Sequence, residues 1–137
     1  MRRRIQGVVF SDLGRASAFM ALAWVQQALQ KSLEFKPYPA TLNLRPDSLK
    51  DKHLWRMIRN EFPGVPLFSV DGGYCDARLY LLSVHNPSGG NQISRGAALV
   101  PDVAGYPEDK IEIVAPLRLK EAFSVKDGDR LVLEFDG

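Results

Sequence analysis

The sequence predicts a mainly β fold with inserted helices, a small closed barrel in preference to an open sheet. Three observations carry this. Roughly six or seven segments have strand character against two or three with helical periodicity. They do not alternate as strand, helix, strand, which argues against a doubly wound parallel sheet. The second half of the chain is cut by short turn clusters, Asp71-Gly72-Gly73, Asn86-Pro87-Ser88-Gly89-Gly90-Asn91 and Asp127-Gly128-Asp129. At 137 residues, 45% hydrophobic and 25% charged, the whole chain 1–137 is expected to be one domain that buries a core of its own without disulfides or structural metal.

Taken in order, Arg4 to Phe10 reads as a first strand, ended by the turn Ser11-Asp12-Leu13-Gly14. From about Ser17 to Leu33 the residues Leu22, Val25, Leu29 and Leu33 recur at spacings of three and four, which predicts an amphipathic helix; Phe19, Met20 and Trp24 widen its apolar stripe. Pro37 and Pro39 fix φ and remove N–H donors, forcing an extended approach to a strand over Thr41–Arg45. Ser48 with Asp51 resembles a capping box, and Leu54, Ile58 and Phe62 mark the buried face of a second helix ended by Pro63-Gly64. Leu67–Val70, Tyr74–Val84, Gly96–Pro101, Ile111–Ala115 and Arg130–Phe135 complete the strands, while Arg118 to Phe123 has room for about two helical turns.

The charge balance, 18 basic and 16 acidic residues for a net +2, argues against a nucleic-acid footprint, and Arg2-Arg3-Arg4 reads as a solvated terminus. A single cysteine, Cys75, excludes an internal disulfide and suits a reducing compartment; it is expected as a half-buried strand thiol. No apolar run is long enough to span a bilayer and no signal-peptide core follows the first residues, so a cytoplasmic location is expected. His53 and His85 lack partners at zinc-ligand spacing, and neither a GxSxG elbow nor a Walker loop is present.

Two places remain for chemistry. Gly14, between the first strand and the first helix, suits either a turn that needs positive φ or a backbone cradle for phosphate, with Arg15 and Ser17 as added donors. Thr41 and Asn43, two apart on one strand, present neutral oxygens on the face opposite Leu42 and Leu44. They suit either ordinary strand and edge hydrogen bonding or a hard cation such as Mg²⁺, which keeps waters and shares substrate phosphates.

Nearly the whole chain resembles a known family, the CTP-dependent riboflavin kinases found chiefly in archaea. "GVVFSDLGRASAFMAL" is similar to its strand and glycine-rich nucleotide loop, and "LEFKPYPATLNL" to its signature G-F-x-P-Y-x-G-T-L-N-[LIV]. "RGAALVPD", "IEIVAPLRLKEAF" and "KDGDRLVLEF" resemble its C-terminal half. The resemblance implies a six-stranded cradle-loop barrel and transfer of the γ-phosphoryl group of CTP to the riboflavin 5′-hydroxyl, giving FMN and CDP. It carries Mg²⁺ ligation to Thr41 and Asn43, with a catalytic role for these two and Glu112. Nucleotide contacts fall on Leu13, Gly14, Arg15, Ala16, Ser17 and Ala18 and on Leu117, Arg118, Leu119 and Lys120; flavin contacts fall on Ala104 and Glu112. Glu112 would orient the flavin, and it is a candidate base only by default.

The chain departs from the pattern where the family loop reads G-x-G-E-G and this one reads Asp12-Leu13-Gly14-Arg15-Ala16, and again at Ala40 and Ala104. A methyl at Ala16 costs about 1 kcal/mol or more if that position needs positive φ. These departures keep open an alternative, a non-catalytic barrel of the same superfamily that binds a flavin, a nucleotide or a macromolecular partner.

Overall fold

The computed structural model describes residues 3–12, 16–70 and 75–136, with the backbone alone at 16 and 17. Its strands are β1 (Arg4–Phe10), β2 (Leu42–Pro46), β3 (Val65–Leu67), β4 (Ala77–Asn86), β5 (Gln92–Pro101), β6 (Ile111–Val114) and β7 (Arg130–Phe135). Its helices are α1 (Ala16–Met20), α2 (Ala23–Leu33), α3 (Leu49–Glu61) and α4 (Leu119–Ala122). The strands run in the order β4-β5-β6-β2-β1-β7 and β7 pairs back onto β4, which closes a six-stranded antiparallel barrel. One edge of β4 serves two partners: residues 77–79 pair with β3 and residues 82–85 with β7.

Alternation divides the apolar residues into two cores. Ile5, Val9, Leu44, Leu82, Val84, Ile113, Leu131 and Leu133 face the barrel interior, which Trp55 and Ile58 of α3 help to close. Met20, Val25, Leu29 and Leu33 of the α1–α2 pair cover the outward residues Leu67, Leu79, Leu99 and Val114. Both sides of this part of the sheet are therefore dry, which is why β5 reads as a continuous apolar run, Ala97 to Val100, and not as an alternation.

Local chemistry fixes the ends. Ser48 Oγ accepts from Asp51 N at 3.1 Å while Asp51 Oδ2 accepts from Ser48 N at 3.2 Å, the reciprocal capping box at the start of α3. Asp51 Oδ1 also accepts from Gln6 N at 3.1 Å, so one carboxylate ties α3 to β1. Asn86, buried at the end of β4, donates to Phe123 O at 3.1 Å, and Gln92 donates to Ala122 O at 3.3 Å. These amides cap the last carbonyls of α4 and hold that turn against the β4–β5 hairpin.

Several expectations are corrected. The helix from Ser17 to Leu33 is broken: Leu22 is extended at φ −64° and ψ 136°, and the Gln26 side chain donates to Met20 O at 2.6 Å, ending α1 before α2 begins. The 67–70 strand is Val65–Leu67, the 74–84 strand is Ala77–Asn86 and the 96–101 strand starts at Gln92, because a 3₁₀ turn at Pro87–Gly89 lets the hairpin pair down to Asn86 and Gln92. The helix at 118–123 is the single turn of α4. Trp55, absent from the expected stripe on α3, is buried in the barrel core against Phe135 and Tyr80. Arg3 is not simply solvated, since its guanidinium lies over the Phe62 ring at 4.3 Å. Cys75 is exposed and precedes β4 instead of lying half-buried within a strand. Arg2, Tyr74 and the Asp71-Gly72-Gly73 turn lie outside the described residues.

Two measurements test this framework. Asp51→Ala removes the box and the bond to β1 together, and is expected to lower unfolding free energy by about 1–2 kcal/mol in urea titrations. A Cβ at Gly96 would stand 2.8 Å from Val114 O, where β5 and β6 approach closely. Gly96→Val is expected to destabilise by about 1–3 kcal/mol, seen as a lower denaturation midpoint at unchanged slope.

Candidate active site

Outside the barrel wall, β1, β2 and β6 lie side by side with Asn43 opposite Phe10 on one side and Glu112 on the other. Because Leu42, Leu44, Ile111 and Ile113 point into the barrel, period-two alternation turns Asn43 and Glu112 outward. The approach to β2 is pinned by Tyr38 N donating to Ala115 O and Ala40 N donating to Tyr38 O, each at 2.8 Å. Thr41 is thereby delivered to the same outward face, directly ahead of β2.

These groups line a cavity of about 560 Å³, a volume in the ordinary range for small-molecule sites. One end is apolar, with Phe19, Tyr38, Cys75, Ala77, Leu99 and Pro101. The other carries Ser11, Asp12, Thr41, Asn43, Lys110 and Glu112, and Leu117, Arg118, Leu119 and Lys120 complete the wall. A flat conjugated group suits the first end and a charged tail the second.

Two lysines organise the polar end. Lys110 Nζ pairs with Glu112 Oε1 at 2.9 Å and also with Asp12 Oδ2, and its ammonium lies 5.8 Å from the centre of the Tyr106 ring. Burial works against the Lys110 charge, but hydrogen bonds to Asp12 and Glu112 outweigh it and hold the ammonium above the ordinary lysine range. Tyr106 is pushed above the usual phenol range, first by burial and then by the Glu112 carboxylate, so it stays a neutral hydroxyl. Lys120 Nζ donates to Ser11 Oγ at 2.9 Å and pairs with Asp127 at 3.0 Å, and Ser11 Oγ donates to Asp127 Oδ1 at 2.9 Å. The Ser11 hydroxyl, then Lys120, hold the Asp127 carboxyl below the usual carboxylate range.

The sequence-predicted residues Thr41, Asn43, Glu112 and Leu117 to Lys120 thus meet at one cavity. Ala104 does not join them; it is exposed on the loop between β5 and β6, away from the cavity lining. Ala18 is exposed on α1 and outside that lining, where its neighbour Phe19 is found. Leu13, Gly14 and Arg15, and the side chains of Ala16 and Ser17, lie outside the described residues. Sequence reasoning missed Lys110, Ser11, Asp127, Phe19, Tyr38 and Tyr106. Lys110 was within reach of period two, since it stands two residues before Glu112 and shares its face.

The family model described as CTP-dep_RFKase, domain of unknown function DUF120, matches residues 9–135. The chain belongs to the CTP-dependent riboflavin kinase family. Curated relatives named riboflavin kinase include one from Pyrobaculum islandicum, 28% identical over 134 residues, covering 96% of this chain and 59% of the relative. One from Methanosarcina acetivorans is 30% identical over 134 residues, covering 93% and 52%. One from Methanoregula boonei is 32% identical over 130 residues, covering 95% and 56%. The chain spans a little over half the length of these curated relatives. The matched region of the family takes in every wall of the cavity, from Phe10 to Lys120.

Among the described residues no three or more His, Cys, Asp or Glu side chains are grouped to hold a metal, and no helix is long and apolar enough to cross a membrane. An ion here would draw on neutral oxygens. The orphaned Asn43 Oδ1, buried and without a hydrogen-bond partner, is such an oxygen, and Thr41 supplies another on the same wall. The donor set therefore fits Mg²⁺, which accepts few protein ligands and keeps waters.

Leaving the two carboxylates without their ammonium should cost more than a surface pair and less than the about 3–5 kcal/mol seen when a fully buried pair loses one partner. Lys110→Met is expected to lower the unfolding free energy by about 1–3 kcal/mol in chemical denaturation, with Lys110→Arg recovering part of it.

Proposed function

We propose that this chain is a riboflavin kinase that transfers the γ-phosphoryl group of CTP to the riboflavin 5′-hydroxyl, yielding FMN and CDP, with Mg²⁺ as the metal. The observation that carries the reading is the convergence of Thr41, Asn43 and Glu112 at the polar end of one cavity whose other end is apolar and aromatic. Family membership and relatives named riboflavin kinase supply the reaction class.

Phosphoryl transfer asks little covalent chemistry of a protein, so positioning and charge compensation do most of the catalysis. In this reading Phe19, Tyr38, Leu99 and Pro101 receive the flavin ring, and the ribityl chain extends toward Glu112. Glu112 accepts a hydrogen bond from the flavin and holds the 5′-hydroxyl in line. Arg118 and Lys120 face the phosphates. The nucleotide contacts that the resemblance implies at Leu13 to Ala18, with Ala16 replacing a glycine of the family pattern, and the flavin contact it implies at Ala104 draw no support from the cavity lining. Thr41 and Asn43 would hold Mg²⁺, which would supply positive charge to offset that of the phosphates. A cytoplasmic location goes with the reading, because an exposed free thiol such as Cys75 stays reduced there. The chain 1–137 would act as one catalytic domain without membrane or nucleic-acid partners.

The test is turnover of riboflavin with CTP and Mg²⁺, resolved by chromatography of FMN and CDP, with ATP as the competing donor. Thr41→Ala and Asn43→Ala are each expected to lower kcat/KM by on the order of 100-fold or more. Both positions are on the outer wall, so the unfolding midpoint should move little. Flavin or nucleotide binding by calorimetry without FMN formation under any donor would reject the kinase reading and make the chain a non-catalytic member of its superfamily.

A further inference from the structure

The Asp12–Lys110–Glu112 cluster joins two parts of the cavity that the sequence keeps far apart. Asp12 ends the segment leaving β1 and leads directly into residues 13–15; Glu112 lies in β6. Lys110 reaches both, at 2.9 Å to Glu112 Oε1 and in direct contact with Asp12 Oδ2, and its side chain is only 16% exposed. Tyr106 roofs the ammonium from the β5–β6 loop. A lysine with two carboxylate partners and an aromatic cover has little freedom to swing away, unlike the exposed pairs Arg56–Glu108 and Arg118–Glu121.

We infer that Lys110 is a positioning residue that clamps the stem of the β1-exit loop to Glu112, so that occupation of the nucleotide side of the cavity sets the aim of the carboxylate on the flavin side. The coupling role rests on the kinase reading; the clamp itself does not. Lys110 has no part in bond making. It acts through Glu112, whose Oε1 it engages at 2.9 Å while also holding Asp12. A ligand that moves the stem carries Asp12, and through Lys110 the Glu112 carboxylate, with it. Linkage then requires nucleotide to change flavin affinity and flavin to change nucleotide affinity by the same factor. Ser11, the neighbour of Asp12, is held in parallel by Lys120, so cutting the first tether loosens the stem without detaching it.

The experiment uses the full chain and the variants Lys110→Met, Lys110→Arg and Asp12→Asn. Riboflavin affinity is read by flavin fluorescence with and without CDP and Mg²⁺, and hydrogen exchange is read by mass spectrometry over residues 8–12 and 111–115. In the wild type CDP should change riboflavin affinity by about fivefold or more, in Lys110→Met and Asp12→Asn by less than about twofold, with Lys110→Arg restoring most of the difference. Exchange over 8–12 should rise in Lys110→Met and Asp12→Asn before any ligand is added. Equal exchange in wild type and both variants overturns the clamp. Faster exchange with undiminished CDP dependence overturns the coupling. If the wild type binds neither ligand, the kinase reading and the coupling both fall, and the exchange data still decide the clamp. Should Lys110→Met not fold, Asp12→Asn makes the same discrimination, since Asp12 is the most exposed member of the cluster.

Discussion

Strand β2 is the constraint on which the rest of the molecule depends. It is hydrogen-bonded on both edges, to β1 and to β6, so its register cannot slip without opening the barrel on two sides. Leu42 and Leu44 lie in the interior core, and period two then leaves no choice for Asn43, which must face out. A slip of one residue would bury Asn43 and Arg45 in the core and expose both leucines, at a cost of several kcal/mol in lost burial and unpaired polar groups. The same hydrophobic residues that close the barrel therefore aim the polar ones at the cavity.

A wall so placed carries an electrostatic problem that the sequence solves locally. Glu112 is 8% exposed and lies on a sheet face whose continuation, Val114, is covered by the helices. An isolated carboxylate in such a position would lose much of its hydration. Lys110 stands two residues earlier on the same face and supplies the counter-charge, and Asp12 takes this neutral pair to one net negative charge. Ser11, Lys120 and Asp127 repeat the solution at the neighbouring rim. Ion pairs with these exposures contribute modestly to stability. Their larger effect is geometric: each fixes one long side chain beside a cavity where freedom would blur recognition.

Much of this was legible in the sequence, because period and turn chemistry are local. Arg4–Phe10 and Arg130–Phe135 alternate cleanly and were placed at their observed bounds, and Ser48 with Asp51 announced the start of α3. The resemblance gathered Thr41, Asn43, Glu112 and Leu117 to Lys120, which the fold brings to one cavity. What could not be read depends on contacts distant in the chain. The break after Met20 is made by Gln26 reaching back to its carbonyl, a bond that periodicity of Leu and Val does not register. The Lys110 cluster joins residues 98 apart, and the Ser11–Asp127 bond joins residues 116 apart. Such pairs exist only after the barrel closes. Trp55 escaped notice because a stripe drawn at spacing four from Leu54, Ile58 and Phe62 passes over the residue three before Ile58, which shares its buried face.

The short helices bear on how this fold can hold a triphosphate. Anion sites at helix N-termini draw on several aligned peptide groups. Here α1 has five residues and α4 has four, and α2 starts beyond the extended Leu22 without a side-chain cap. Among the described residues, positive charge at the polar end comes from the side chains of Lys110, Arg118 and Lys120, each of which is already paired with a carboxylate. On the proposed kinase reading, phosphates would compete with Asp12, Glu112, Glu121 and Asp127 for these cations, or be compensated by an ion on the neutral oxygens of Thr41 and Asn43. The second route leaves the lysine clusters intact and uses the orphaned Asn43 oxygen, which the first leaves unexplained. On the proposed kinase reading, this charge arrangement would favour metal-assisted binding of phosphate over capture by lysines already paired with carboxylates.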